Sequence, residues 1–156
     1  MWQRIQTLYF ILIIILMITS ILLPNADFYS AANNITYKLD ARGIVELNQQ
    51  GEAVKMIGSN PCMIIFGIIL FLTTYCIAAY KNRRKQIRLA TINLFLLLIY
   101  IIVLAVYVFV AKNKLNAEVT LLYPAIMPLI ALILNYLAMR GVAKDEKLVR
   151  SLDRLR

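Results

Sequence analysis

Histidine is missing from all 156 residues of this chain. That removes the commonest metal ligand and the usual general base at neutral pH. Cysteine is scarce: Cys62 and Cys76 fall in one apolar stretch, 14 residues apart. On a helix they would stand roughly 21 Å apart along the axis, whereas a disulfide needs Cα atoms within about 7 Å. They read as packing residues and carry no information on redox compartment. Charge is sparse too, at 16% of residues against about 25% in a typical soluble domain. There is no His–carboxylate or Cys–His pair, no metal-spaced cluster, no glycine loop for phosphate and no nucleophile elbow. These absences argue against an enzyme, and no catalytic residue, cofactor or metal ligand is expected.

What is abundant is apolar: 62% of the residues. The chain reads as one integral membrane domain over residues 1–156. Crossing a bilayer as a helix takes about 20 apolar residues, and four runs fit: Leu8–Leu23, Cys62–Tyr80, Leu89–Ala111 and Leu121–Met139. Pro124 and Pro128 suit the first turns of the fourth, because a helix interior has no place for a residue without an N–H. The first run, preceded by Arg4, is longer than a usual signal core. Pro24 and Asn25 separate it from the small residues of "YSAAN", so it is expected to stay as an uncleaved helix. No Asp, Glu, Lys or Arg lies inside the four runs. Membrane-embedded ionisable groups usually mark transport paths and proton relays. The polar residues that do occur include Asn93 and Asn135, each about one turn from the end of its run. They are expected to be intramembrane helix contacts, bonding each other or a neighbouring backbone.

Four spans would put both ends of the chain on one side, together with the stretch "AAYKNRRKQIRLATINL" of residues 78–94. That side carries Arg4, Lys81, Arg83, Arg84, Lys85, Arg88, Arg140, Lys144, Lys147, Arg150, Arg154 and Arg156 against Asp145, Glu146 and Asp153. The other side carries Lys38, Arg42, Lys55, Lys112 and Lys114 against Asp27, Asp40, Glu46, Glu52 and Glu118. The whole net charge of +9 therefore sits on one face. Cytoplasmic loops are the ones enriched in Lys and Arg, so both termini are expected in the cytoplasm. The basic loop is first a topology determinant. It is second a contact for anionic lipid head groups or for a protein partner, with Lys81, Arg83, Arg84, Lys85, Arg88, Lys147, Arg150 and Arg154 as candidates. Nucleic acid is not expected, since no aromatics or glycines interleave the cations.

Residues 24–61 are too long for a turn. Ile35, Tyr37 and Leu39 alternate with Thr36 and Lys38, the period of a half-buried strand. "DARG" then offers Gly43 for a positive φ, "IVEL" reads as a second strand and "AVKMI" as a third. A small antiparallel meander over about residues 34–58 is expected, with another short strand at Val119–Leu121. It caps the bundle or presents a surface to a partner. Its carboxylates read as solvated charges. The sequon at Asn34 is given no weight.

The tail, residues 140–156, has a helical pattern. Leu148, Leu152 and Leu155, with Val149, form an apolar stripe between cations. Asp145 and Glu146 fall where they would suit the first turn of a separate amphipathic helix lying along the interface. The expected fold is thus membrane all-α with small β: a four-transmembrane-helix bundle, a small antiparallel extracytoplasmic sheet between helices 1 and 2, and an amphipathic C-terminal helix.

Three stretches, "MWQRIQTLY", "YKNRRKQIRLATIN" and "KDEKLVRSLDRLR", resemble a family of small four-helix membrane proteins of Bacteroidota. That family is known as a domain of unknown function, number 4293. The resemblance covers essentially the whole chain and implies a bacterial inner-membrane protein with both termini inside. It brings no catalytic or binding residues. The layout is also similar in shape to claudin-like four-helix proteins, but the outer Trp and Cys residues of claudins are absent, and no junction or pore function is carried over. The functional expectation is a non-enzymatic scaffold or accessory subunit that meets a protein partner or a second copy of itself. The alternative is a small oligomeric transporter or channel for a neutral or lipid-like molecule, working around Asn93, Asn135 and the two prolines. A lipid-modifying enzyme ranks third and would need polar groups converging near Asp27 or Asp40.

Overall fold

A computed structural model describes residues 2–30, 35–40, 43–47, 53–58 and 60–154. Helix α1 spans Trp2–Leu22, α2 Asn60–Ala78, α3 Arg83–Leu115 and α4 Met127–Arg154. Between α1 and α2 run strands β1 (Ala26–Ser30), β2 (Ile35–Asp40), β3 (Gly43–Leu47) and β4 (Ala53–Gly58), and between α3 and α4 runs β5 (Glu118–Leu121). Each helix packs on two others, α1 on α4 and α2, α3 on α4 and α2, so the bundle closes into a ring. Phe10, Ile13 and Met17 of α1, Ile69 of α2, Leu97 and Tyr100 of α3 and Ala131 and Ala138 of α4 fill its middle. Many other large apolar side chains, such as Ile64, Phe71, Phe95, Ile102 and Ile133, point outward. In water such a surface would drive aggregation, and in hydrocarbon it costs nothing. Every helix contains an 18-residue window apolar enough to cross a membrane, with mean hydropathy from 1.7 to 3.1.

The five strands form one antiparallel sheet in the order β4-β3-β2-β1-β5. Its inward face is the one the alternation predicts. Tyr37 and Leu39 are buried, joined by Ala26 and Phe28 of β1 and Ile44 of β3. They pack on Ala111 and Ala117 at the end of α3, with Val108 and Leu115 alongside. Thr36, Lys38 and Asp40 alternate with them on the other face and stay half-buried. The meander has one strand more than expected, since β1 precedes it. β5 adds to the far side of β1, so residues distant in sequence lock the sheet onto the bundle. Asn25 seals this junction. It is fully buried, its N–H donates to Leu39 O (2.8 Å) and its carbonyl accepts from Leu122 N–H (3.0 Å).

Gly43 takes the positive φ anticipated for it, at 136°. A Cβ at such a φ is strained by about 1–3 kcal/mol. Gly43→Ala should lower the thermal midpoint of the purified protein, while an unchanged midpoint would mean the turn relaxes without cost.

Several boundaries differ from the sequence reading, among them the start of α1, which is Trp2 and not Leu8. Helix α3 is longer than Leu89–Ala111, running 33 residues, about 50 Å. It stops where Asn116 enters the left-handed region at φ 44°, its N–H capping Lys112 O. The fourth helix does not begin at Leu121. Leu121 belongs to β5, Leu122 is extended, and Tyr123–Ile126 form a 3₁₀ turn carrying Pro124. Pro128 is the second residue of α4; both prolines occupy first-turn positions, where no N–H is missed. The C-terminal segment is not a separate amphipathic helix. It continues α4 as one 28-residue rod, because Gly141 alone does not break it. Gly141 sits tight on α1, where an added Cβ would meet Gln6 Cγ at 3.4 Å.

Candidate functional site: a charged clasp below a buried amide cluster

The polar residues inside the bundle come together. Asn93 of α3 donates from Nδ2 to Thr73 Oγ1 of α2 (3.0 Å) and to Asn135 Oδ1 of α4 (3.4 Å). Asn135 Nδ2 donates to the carbonyl of Ala90, one turn from Asn93 (2.8 Å). The Thr73 hydroxyl in turn donates a hydrogen bond to Ile69 O (2.7 Å). Asn93, Asn135 and Thr73 are all fully buried. One turn nearer the end of the bundle, the buried Gln86 of α3 donates to the Cys76 carbonyl of α2 (3.0 Å). The expected contact between Asn93 and Asn135 is therefore present, within a cluster that ties three helices in register. Thr73 and Gln86 are partners the sequence did not single out. Threonine in a helix bonds its own backbone and sends no signal of a cross-helix role. Asn93 Oδ1 is buried and has no hydrogen-bond partner among the described residues.

Below this cluster, at the end bearing both chain termini, three segments meet. Gln6 of α1 donates from Nε2 to Asp145 Oδ2 of α4 (2.7 Å). Arg83 at the start of α3 donates from Nη1 to the Asp145 carbonyl (3.3 Å). Arg84 pairs with Glu146 at 3.1 Å, with side chains 70% and 20% exposed. An ion pair so open to solvent is worth about 0–1 kcal/mol and is screened by salt. Asp145 is thus spent on Gln6 and on the start of α3, and Glu146 on Arg84, while both acids lie well inside α4 and far from its own N-terminus.

Beside the clasp lies an open groove of about 710 Å³, lined by Tyr80, Asn82, Arg83, Arg84, Lys85, Glu146 and Val149. Three of the candidate cations, Arg83, Arg84 and Lys85, therefore converge on one surface. Arg88 and Lys147 are exposed but do not line it. The side chains of Lys81, Arg150 and Arg154 lie outside the described residues. At the sheet end, Asp27 of β1 faces Lys38 and Thr120 across the strands, and Asp40 faces Gly43. Asp27 Oδ1 is buried and has no hydrogen-bond partner among the described residues. Among the described residues no three His, Cys, Asp or Glu side chains group as a metal site would require.

The amide cluster supports a double-mutant cycle. Membrane helix hydrogen bonds average about 0.6 kcal/mol and reach about 1.7. Asn93→Leu and Asn135→Leu should each destabilise by roughly that much, with a coupling of similar size. Purely additive effects in a detergent unfolding titration would mean that the amides do not act on each other.

Four apolar helices of spanning length, three of them joined by a buried amide cluster, suggest a membrane protein. The family model described as Domain of unknown function (DUF4293) matches residues 2–155, and the chain belongs to that family. No curated protein matches it.

Proposed function

We propose that this protein is a non-enzymatic scaffold or accessory subunit of the bacterial inner membrane, with both termini in the cytoplasm and the sheet outside. The observation that carries the reading is where its polar groups are spent. Inside the bundle, Asn93, Asn135, Thr73 and Gln86 bond helix to helix or helix to backbone. What is left for other molecules lies at the two ends: a basic groove with Arg83, Arg84 and Lys85 on one, and the outward sheet face on the other. The net charge of +9 gathers at the groove end, which favours placing that end in the cytoplasm. There the groove meets anionic lipid head groups. The tail beyond Glu146 carries Lys147, Arg150 and Arg154 to a protein partner or to a second copy.

The transporter reading is less well supported. The two asparagines that would line a path are engaged in packing, and the two prolines start helices without interrupting one. Purification from native membranes in mild detergent tests the proposal, comparing the full chain with one truncated after Glu146. That cut leaves Asp145 and Glu146 in the clasp. A protein present in stoichiometric amount with the full chain and lost on truncation is expected. Identical co-purifying proteins for both forms, or none, would count against an accessory role for the tail.

A further inference from the structure

At the sheet end, α3 runs past the beginning of α4. On one side of its last three turns stand β5 and the Tyr123–Ile126 turn, and the small Ala125 leaves a trough of about 450 Å³. Leu104 and Val108 form its floor, the first 8% exposed. Phe109 and Leu121 form its walls and stand 64% and 63% exposed. The trough is apolar along its length except at one end, where Lys112 is its single charged lining residue. Lys112 is exposed and lies in the last turn of α3. From Leu104 to Lys112 is about 12 Å of helix, so the cation sits where a spanning helix leaves hydrocarbon for head groups.

We propose that this trough binds one anionic phospholipid from the leaflet at the sheet end, an acyl chain along Leu104 and Val108 and the phosphate on Lys112. A groove facing hydrocarbon is filled by lipid. A lone cation at its mouth selects a negatively charged head group, as a purely apolar groove would not. The inference rests on the membrane insertion argued above and is independent of the scaffold role.

The test reconstitutes the full chain into nanodiscs of phosphatidylcholine with a minority of phosphatidylglycerol. The lipid retained after transfer to detergent is then read by native mass spectrometry. Wild type should keep one phosphatidylglycerol per chain, favoured about fivefold over phosphatidylcholine, the effect expected of one lysine near a membrane surface. Lys112→Ala should abolish the preference. Lys114→Ala, which removes the same charge outside the trough, should not. Ala105→Trp fills the trough from an exposed position and should remove the retained lipid, with the thermal midpoint confirming that the variant is folded. Equal preference in Lys112→Ala and Lys114→Ala would overturn the proposal. So would lipid retained in Ala105→Trp, or a dimer that this variant disrupts, since a second copy would then be the occupant. A chain that inserts but retains no lipid defeats this inference alone, whereas failure to enter nanodiscs defeats the membrane reading itself.

Discussion

Replacing Phe28 with alanine should destabilise the protein by about 3–5 kcal/mol, the usual range for emptying a buried phenylalanine site. Phe28 is fully buried, and its cross-strand neighbours are Tyr37 on β2 and Val119 on β5. It stands in the cluster with Leu39, Ile44, Ala111 and Ala117 that joins the sheet to α3. A cavity there weakens the pairing of β5 with β1, which attaches β5 to the sheet. Hydrogen exchange in detergent should accelerate first in β1, β2 and β5, with the middle of α1 protected as before. Tyr29→Ala, on the outward face of the same strand and 47% exposed, should stay within about 0.5 kcal/mol of wild type. Equal losses for the two variants would mean that the sheet is not held by its inner face.

The second large effect is expected at Ala90. It is fully buried among the bundle's core residues, and its carbonyl accepts from Asn135. Small residues at helix contacts let backbones approach closely in a membrane. Ala90→Leu adds three carbons at such a contact, and overpacking typically costs about 1–3 kcal/mol. Moving α3 away from α4 would also break the Asn135 bond, adding up to about 1.7 kcal/mol. The midpoint of unfolding in denaturing detergent should fall well below wild type. Ala78→Leu, at an exposed alanine at the end of α2, should leave it unchanged. Tolerance of leucine at both positions would show that α3 and α4 are not closely packed there.

The four long helices were legible because runs of such length and apolarity leave few other readings. Their ends were not. Leu121 and Leu122 are as apolar as the helix that follows, and only Pro124, Pro128 and the pairing with β1 turn them into strand and turn. β1 escaped because "ADFYS" is five residues long and one of its inward positions is Ser30. Its strand character comes from neighbours on both sides. Asn93 and Asn135 stood out as amides in hydrocarbon, and their contact followed from that cost. The bond from Gln6 to Asp145 joins residues 139 apart, and nothing local in either segment announces it. Asp145 and Glu146 were read as the start of a new helix because acids favour a first turn. Without a break at Gly141 there is no new helix, and the acids meet Gln6, Arg83 and Arg84 instead.

The proposed function depends most on orientation, since placing the groove in the cytoplasm and the sheet outside both rest on it. Cys62 and Cys76 are buried, so single introduced cysteines can be labelled over a low background. Lys114→Cys marks the sheet end and Lys144→Cys the clasp end, both at exposed positions. A membrane-impermeant maleimide is added to intact spheroplasts, and again after permeabilisation. Labelling of Lys114→Cys in intact cells, with Lys144→Cys reached only after permeabilisation, is the predicted result. The reverse pattern, or equal labelling of both in intact cells, would contradict it.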